Sequence, residues 1–314
     1  MEKNRFTICA NSYIESLREE GRYSTAHVYK NALRSFTQFC GTPSVAFYQV
    51  NRDTLKRYSN YLIARHLKLN TISTYMRMLR CIYNLGVDKG QAPYIHRLFR
   101  DVFTGVDTRQ KKALPVYELH TLLYKDPQSE SLRRTQAIAN LLFQFCGMPF
   151  SDLAHLEKSN LKQGLLKYNR LKTGTPMSIE VLESAHNAIG GLYNKTDARS
   201  PDYPDYLFRI LSGAYKRDEE EAYREYQSAL RRFNNDLKSL SRKLRISSSV
   251  TSYTLRHSWA TTAKYRGVPI EMISESLGHK SIKTTQIYLK GFELEERTRV
   301  NKLNYSYVCS FKMF

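Results

Sequence analysis

Apolar residues in the first hundred positions recur at intervals of three and four, which is the spacing of one face of an α-helix. Four segments show this pattern, and few residues between them favour strand. Their stripes are Phe6, Ala10, Tyr13 and Leu17; Tyr29, Leu33, Phe36 and Phe39; Leu55, Tyr58 and Leu62; and Ile72, Tyr75, Met76, Leu79, Ile82 and Tyr83. Residues 1–103 are therefore predicted to form a helical domain.

Capping residues and glycines place the ends of two of these helices. The third is predicted to begin near Thr54 after a cap at Asn51 or Asp53, and the fourth to begin at Asn70 or Thr71. Gly86 or Gly90 is predicted to close the fourth helix. Residues 104–114 combine a glycine with a basic cluster that includes Lys111 and Lys112, and they are predicted to be an exposed interdomain linker.

Residues 115–314 have a mixed pattern. Helices are predicted over 116–123, 132–146 and 218–245, and a short helix over 152–156 with Ser151 as its cap. Two partly alternating runs, 165–171 and 176–181, flank the turn sequence Lys172-Thr-Gly174-Thr and predict a β-hairpin. The tail over 304–314 alternates and is predicted to be strand-like. The predicted fold is mainly α with a small antiparallel β-sheet.

The charge of the chain indicates a polyanionic partner. Forty-nine Lys and Arg residues stand against 29 Asp and Glu, which gives a formal charge of +20 and a pI near 9.7. Nucleic acid is the partner that this imbalance favours. No stretch approaches the roughly 20 apolar residues of a membrane-spanning helix, and the first residues lack the apolar core of a secretory signal. The expected location is therefore the cytoplasm, with no membrane partner.

Three short motifs near the C-terminus lie at characteristic distances from one another along the sequence. They are Tyr253-Thr-Leu-Arg256, Leu277-Gly-His279, and a tyrosine nine residues later, Tyr288. Together they resemble the C-terminal signature of the tyrosine recombinases, also called phage-type integrases. The resemblance implies that Arg256 and His279 bind the scissile phosphate while Tyr288 attacks it. Tyr253 stands where that family usually has histidine or lysine, and as a site residue it can donate a hydrogen bond but carries no charge at neutral pH.

The resemblance extends to about residues 6–295 and implies further roles. The sequence of the predicted hairpin around Lys172 resembles that of the family hairpin whose lysine protonates the departing 5′-hydroxyl. The segment Asn70-Thr-Ile-Ser-Thr-Tyr-Met-Arg77 resembles part of the family's core-binding domain, which clamps DNA. The resemblance implies that residues 115–314 form the mixed α+β catalytic domain. The basic residues predicted to contact DNA are Arg77, Arg80, Lys111, Lys112 and Arg170. No cofactor is implied, neither ATP nor Mg²⁺.

One expected arginine is missing. The stretch Cys146-Gly147-Met148-Pro149 resembles the family's first motif, in which an arginine follows the glycine and an acidic residue follows three positions later. Asp152 matches the acid, whereas the arginine position holds Pro149 and the alternative position before the glycine holds Cys146. Three explanations stay open: another cation such as Arg133, Arg134 or Arg170 substitutes, the enzyme is slow, or the protein binds DNA without cutting it. Cys146 could also be a changed residue.

The leading hypothesis is a site-specific DNA recombinase that forms a 3′-phosphotyrosyl intermediate. The sequence is closest to integrases of the Bacteroides group. The resemblance implies double-stranded DNA as the partner, with a homotetramer on synapsed DNA or a monomer in free solution. The tail over 304–314 is predicted either to dock on a neighbouring subunit or to fold back on its own domain. The alternative is a catalytically impaired DNA-binding regulator with the same fold, which the missing arginine and Tyr253 would favour.

Overall fold

A computed structural model of the 314-residue chain describes residues 5–107, 113–289 and 294–310. The chain forms two compact units. The N-terminal unit comprises residues 1–109 together with 214–225, and the C-terminal unit comprises residues 110–213 and 226–314. The described residues are mainly helical with one small antiparallel sheet, which confirms the predicted fold class.

Four long helices build the N-terminal unit. They are α1 (Phe6–Glu19), α2 (Tyr23–Cys40), α3 (Arg52–Ala64) and α4 (Leu69–Asp88). Their apolar stripes meet in one core, in which the ring of Phe6 packs edge to face on Phe36 and Phe47 at centroid distances of 5.9 and 5.7 Å. Asn51 caps α3 by accepting from the backbone N–H of Thr54 at 2.9 Å, as predicted.

Nine further α-helices of the described residues and a small sheet follow α4 in the chain. The helices are α5 (Val116–Tyr124), α6 (Glu130–Gln144), α7 (Phe150–Ala154), α8 (His186–Leu192), α9 (Glu220–Lys243), α10 (Ser252–Tyr265), α11 (Ile270–Ser276), α12 (Ile282–Tyr288) and α13 (Leu294–Cys309). The strands are β1 (Leu161–Lys162), β2 (Leu165–Asn169) and β3 (Pro176–Glu180).

The core of the C-terminal unit forms around α6, which contacts α5, α8 and α10. The sheet has the order β1-β2-β3 with antiparallel pairing throughout. Leu166 and Ile179 are paired across β2 and β3 and both are buried, so one face of the hairpin packs on this core. The predicted hairpin is therefore confirmed, whereas β1 was not predicted because two residues are too short for a pattern to show.

The short helix after Cys146 was wrongly placed by the sequence. It runs from Phe150 to Ala154 with Pro149 at its N-cap, rather than over 152–156 with a Ser151 cap. Proline has a fixed φ and can precede a helix without losing a hydrogen bond, so the helix starts directly after Pro149. The Ser151 hydroxyl instead donates to Asp152 Oδ1 at 3.2 Å.

The prediction for the tail is also wrong where the structure describes it. Residues as far as Cys309 belong to α13, a 16-residue helix, and not to a strand. The alternating window was short, whereas Val300, Leu303 and Tyr307 follow helical spacing over a longer window. The described side chains of α13 are exposed, including Leu303 and Val308. Residues 311–314 lie outside the described part.

One of the two glycines predicted to end α4, Gly86, does not do so. It lies inside the helix, packed against the Phe47 ring, and Gly90 follows the helix end with a φ of +66°. None of the helices in the described ranges has the length and apolar character needed to cross a membrane.

Candidate active site

Helix α10 holds Arg256 in the interior. Thr251 caps the helix by accepting from the backbone N–H of Thr254, and Arg256 follows two residues later on the buried side. Its side chain is only 2% exposed. A buried guanidinium needs acceptors for its five N–H groups, and two neighbouring turns supply backbone carbonyls. Arg256 is thus fixed in position by its surroundings.

The first of these turns follows α6. Cys146 and Gly147 both have positive φ, at +54° and +65°, which turns the chain back toward α10. A Cβ on Gly147 would lie 3.1 Å from the Arg256 Cα, so only glycine permits this approach without a shift. The Gly147 carbonyl accepts from Arg256 Nη1 at 2.9 Å. Burial raises the pKa of the Cys146 thiol, so this side chain adds no charge near neutral pH.

The second turn is Leu277-Gly278-His279, between α11 and α12. The Leu277 carbonyl accepts from Arg256 Nη2 at 2.5 Å. Gly278 has a φ of +63°, and a Cβ there would lie 2.8 Å from Met177 Sδ and 2.9 Å from Arg170 Cγ. Glycine therefore lets the β-hairpin lie directly against this turn.

His279 contacts Arg256 through one ring nitrogen and Thr285 through the other. Nε2 lies 3.2 Å from Arg256 Nη2, and Nδ1 lies 2.8 Å from the Thr285 hydroxyl. Burial lowers the pKa of His279 to about 4, and the charges of Arg256, Arg170 and Lys172 act in the same direction. The imidazole is therefore neutral at neutral pH in the free protein.

Arg170 occupies the same interior as Arg256. It follows directly after β2, is 7% exposed, and forms an ion pair with Asp152 in which Nε lies 2.8 Å from Oδ2. Its Nη1 donates to the Leu277 carbonyl, the same oxygen that accepts from Arg256. Since both guanidiniums bond one oxygen, the two bonding nitrogens lie within about 5 Å of each other. Arg170 was predicted as a DNA contact and was one of three cations considered as a substitute for the missing arginine. The other two, Arg133 and Arg134, lie elsewhere, bonded to Asp126 and to the Arg209 carbonyl.

Lys172 and Tyr253 lie nearer the surface. Lys172 is exposed in the turn between β2 and β3, which Gly174 closes by donating its backbone N–H to the Arg170 carbonyl at 2.8 Å. Its charge still reaches His279, whose pKa it lowers. Tyr253 is 46% exposed, and its ring packs against His257 at 5.1 Å. The structure thus brings Arg256, His279, Arg170 and the Lys172 turn together. Tyr253 lies on α10, three residues before Arg256.

Tyr288 is the last residue of α12. Its side chain lies outside the described part, and so do Lys111 and Lys112. Arg77 and Arg80 are exposed on α4 of the N-terminal unit. A small apolar cluster of Ala260, Ile273, Leu277 and Leu289 joins α10, α11 and the segment after α12, with Trp259 packed against it.

Sequence reasoning missed two contacts at this site. The ion pair between Arg170 and Asp152 joins residues that are far apart in the chain, although an acid without its usual arginine was a signal that a partner had to come from elsewhere. The hydrogen bond from His279 to Thr285 gave no signal, because a threonine on a short helix is ordinary. Chemically, two guanidiniums and one imidazole around a shared turn form a site for a tetrahedral oxyanion.

The chain matches two family descriptions over most of its length. Residues 5–96 match the phage integrase SAM-like domain, and residues 113–294, more than half of the chain, match the phage integrase family. The chain belongs to the phage integrase family. A tyrosine recombinase of Thermosipho africanus is 23% identical over 93% of this chain and 97% of its own length. The tyrosine recombinase XerA of Pyrococcus furiosus is 26% identical over 83% of this chain and 84% of its own length.

Solved structures share the fold of this integrase-family chain. A Tn1549 transposon integrase, in complex with a circular intermediate DNA, superposes with a TM-score of 0.66 at 16% identity over 94% of this chain and 99% of that one. A lambda integrase dimer bound to a COC′ core site gives 0.65 at 15% identity, over 91% and 98%. At such identities the likeness describes the fold alone.

Proposed function

We propose that this protein is a site-specific DNA recombinase that cleaves and rejoins strands through a 3′-phosphotyrosyl intermediate. The observation that carries the proposal is the pair of buried guanidiniums, Arg256 and Arg170, bonded to one carbonyl beside His279. Charge develops on the non-bridging oxygens when a phosphodiester is attacked, and preorganised donors in a water-poor site stabilise it strongly. Family membership and the +20 charge agree with DNA as the substrate.

Each residue of the site has a proposed role. Arg256 and His279 hold the scissile phosphate, and the Tyr288 hydroxyl attacks its phosphorus, in the same chain or on a neighbouring subunit. The bond from phosphorus to the 5′-oxygen breaks, and Lys172, exposed on its turn, gives that oxygen a proton. Tyr253 is proposed to donate a hydrogen bond at the edge of the phosphate. Rejoining reverses these steps, so the energy of the broken bond is kept in the phosphotyrosine.

Arg170 is proposed to replace the arginine that the first motif lacks. The acid of that motif, Asp152, is kept, and its arginine partner arrives from the hairpin instead of from the preceding turn. Losing one phosphate-binding donor typically costs about 10²- to 10³-fold in rate. A second guanidinium at the same depth as Arg256 removes the main reason to expect an inactive protein. The catalytically impaired regulator is therefore not favoured.

The partner and the location follow from the substrate. We propose a homotetramer on synapsed DNA, since four strands must be exchanged. A lambda integrase tetramer with the same fold is bound to a Holliday junction. The N-terminal domain over 1–103, the linker over 104–114 and the basic residues Arg77, Arg80, Lys111 and Lys112 are proposed to clamp the duplex. A cytoplasmic location and the likeness to Bacteroides integrases stay predictions.

Covalent trapping tests the proposal. The protein is incubated with sheared, nicked genomic DNA, adducts that survive denaturation are isolated, and the attached DNA is sequenced. A nicked suicide duplex built on the recovered site should then trap the protein, and Tyr288→Phe should abolish trapping. Tyr124→Phe, which changes an exposed tyrosine on α5, is the matched control and should trap normally. Retarded DNA mobility without any adduct would favour the regulator instead.

A further inference from the structure

The hydroxyl of Thr285 lies between two parts of the site that must act together. Thr285 is fully buried on α12, and its Oγ1 is 2.8 Å from Nδ1 of His279. The same residue accepts the backbone N–H of Leu289 through its carbonyl at 2.8 Å, at the end of the helix. Thr285 therefore bonds the His279 ring through its side chain while its backbone belongs to the helix of Tyr288.

These contacts determine where the His279 proton lies. A guanidinium can only donate, so Nε2 of His279 accepts from Arg256 at 3.2 Å and the ring proton is on Nδ1. Nδ1 then donates to the Thr285 hydroxyl. To donate to a bound phosphate, Nε2 must carry the proton, and Nδ1 must become an acceptor. A hydroxyl can both accept and donate, so Thr285 satisfies Nδ1 in either state.

The position of Thr285 along α12 adds a second consequence. Residues three apart lie on neighbouring turns of a helix, and Tyr288 is three residues after Thr285. A bond that holds the Thr285 side chain to His279 thus limits how far the last turn of α12 can move from the phosphate-binding residues. Without the hydroxyl, α12 loses a side-chain bond to His279, while Leu289, directly after the helix, still packs in the small apolar cluster.

We propose that Thr285 is a positioning residue for strand cleavage. Its hydroxyl sets which ring nitrogen of His279 faces the phosphate, and its bond to His279 couples that nitrogen to the helix that carries Tyr288. The proposal deepens the proposed function and rests on it. Thr285 does not touch DNA in this arrangement, so removing its hydroxyl affects the rate of cleavage and leaves the affinity for DNA unchanged.

The first test reads the proton directly and needs no DNA. In the wild-type protein labelled with ¹⁵N in its histidines, the His279 ring is expected to show the Nδ1–H form, with the signal assigned by its loss in His279→Gln. Thr285→Ser should keep this form. Thr285→Val, which has nearly the same shape but no hydroxyl, leaves the Nδ1 proton without this acceptor, so the Nδ1–H resonance should lose the shift of a hydrogen-bonded proton. An unchanged Nδ1–H resonance in Thr285→Val overturns the proposal.

The second test measures cleavage in a single turnover on the nicked suicide duplex recovered by covalent trapping. Thr285→Val is expected to cleave about 10- to 100-fold more slowly, the scale seen when the partner that orients a functional histidine is removed. Thr285→Ser should lie within a few-fold of wild type, and the Kd for the duplex should not change in either variant. Thr284→Val, at the exposed neighbouring position, is the matched control.

The outcomes separate the two proposals. Wild-type cleavage in Thr285→Val, or an equal loss in Thr285→Ser and Thr284→Val, overturns the positioning role even when the recombinase proposal stands. A wild-type protein that forms no adduct overturns the recombinase proposal, whereas the tautomer measurement still reports on the bond itself. Should Thr285→Val fail to fold, as judged by Trp259 fluorescence, Thr285→Ser decides, because a slow, well-folded serine variant contradicts a role for the hydroxyl.

Discussion

Removing the Arg170 side chain is expected to destabilise the C-terminal unit strongly. The Asp152 carboxylate that it pairs with is almost completely buried, and the contact between Nε and Oδ2 is 2.8 Å. Arg170→Gln keeps much of the length of the side chain but removes its charge. Asp152 is then left as a buried charge without its ion-pair partner, and the Leu277 carbonyl loses one donor.

The size of the effect follows from this geometry. At 2.8 Å two unit charges attract by about 6 kcal/mol at an effective dielectric constant of 20. Burial offsets much of this attraction, but removing one partner of a buried pair typically costs about 3 to 5 kcal/mol because an uncompensated charge remains. Asp152→Asn should cost a comparable amount. The double variant should cost clearly less than the sum, because neither charge is left behind.

Urea unfolding followed by tryptophan fluorescence measures this effect. Trp259 is the only tryptophan and belongs to the C-terminal unit beside Arg256, so its signal reports on this unit. With a slope of about 2 kcal/mol per molar urea, the midpoint for Arg170→Gln should fall by roughly 1.5 to 2.5 M. Arg133→Gln, which removes an exposed ion pair with Asp126, should not shift it measurably. Equal midpoints for the two arginine variants, or simple additivity with Asp152→Asn, would refute the reasoning.

Two further predictions concern the turn beside the hairpin. Gly278→Ala should unfold at lower urea concentration than Gly164→Ala and should cleave DNA more slowly. Both glycines have positive φ, but only at position 278 would a Cβ meet Met177 and Arg170. Urea midpoints and suicide-duplex trapping measure these effects, and equal midpoints would contradict the prediction. Because the pKa of His279 is lowered to about 4, the unfolded chain takes up the proton first, so this residue's contribution to stability is present above pH 6.5 and is lost as the pH falls toward 4. Wild type should therefore lose more stability than His279→Gln between pH 7 and 5, and parallel losses in urea unfolding would count against a buried neutral imidazole.

The fold was largely predictable because its signals are local. The stripes of α1 to α4, the Asn51 cap and the hairpin around Lys172 each depend on residues within one element. The prediction for the tail failed for the same reason. An alternating window of eleven residues cannot exclude a helix when Val300 and Leu303, before the window, follow helical spacing. Pro149 displaced the predicted cap at Ser151 because a proline before a helix starts it without any side-chain acceptor.

The site was predictable where motif spacing carried it and unpredictable where distant segments met. Arg256 and His279 come together as their motifs implied. That Arg170 would pair with Asp152 could not be derived, since its position after β2 is compatible with either face of the hairpin until the packing is known. In the proposed function, the arginine that the first motif lacks at Pro149 is supplied by Arg170 from another segment.

The hairpin carries two residues with proposed catalytic roles, one buried and one exposed. Arg170, at the base, is fixed by Asp152, by the Leu277 carbonyl and by the backbone N–H of Gly174. Lys172, two residues later at the tip, is exposed. A phosphate-binding cation gains from a fixed position, because stabilisation of developing charge depends on preorganisation. A general acid, the role proposed for Lys172, must reach an oxygen that departs, so an exposed tip on an anchored base meets both needs. In the proposed mechanism, an arginine in the hairpin ties the position of the acid to the phosphate site.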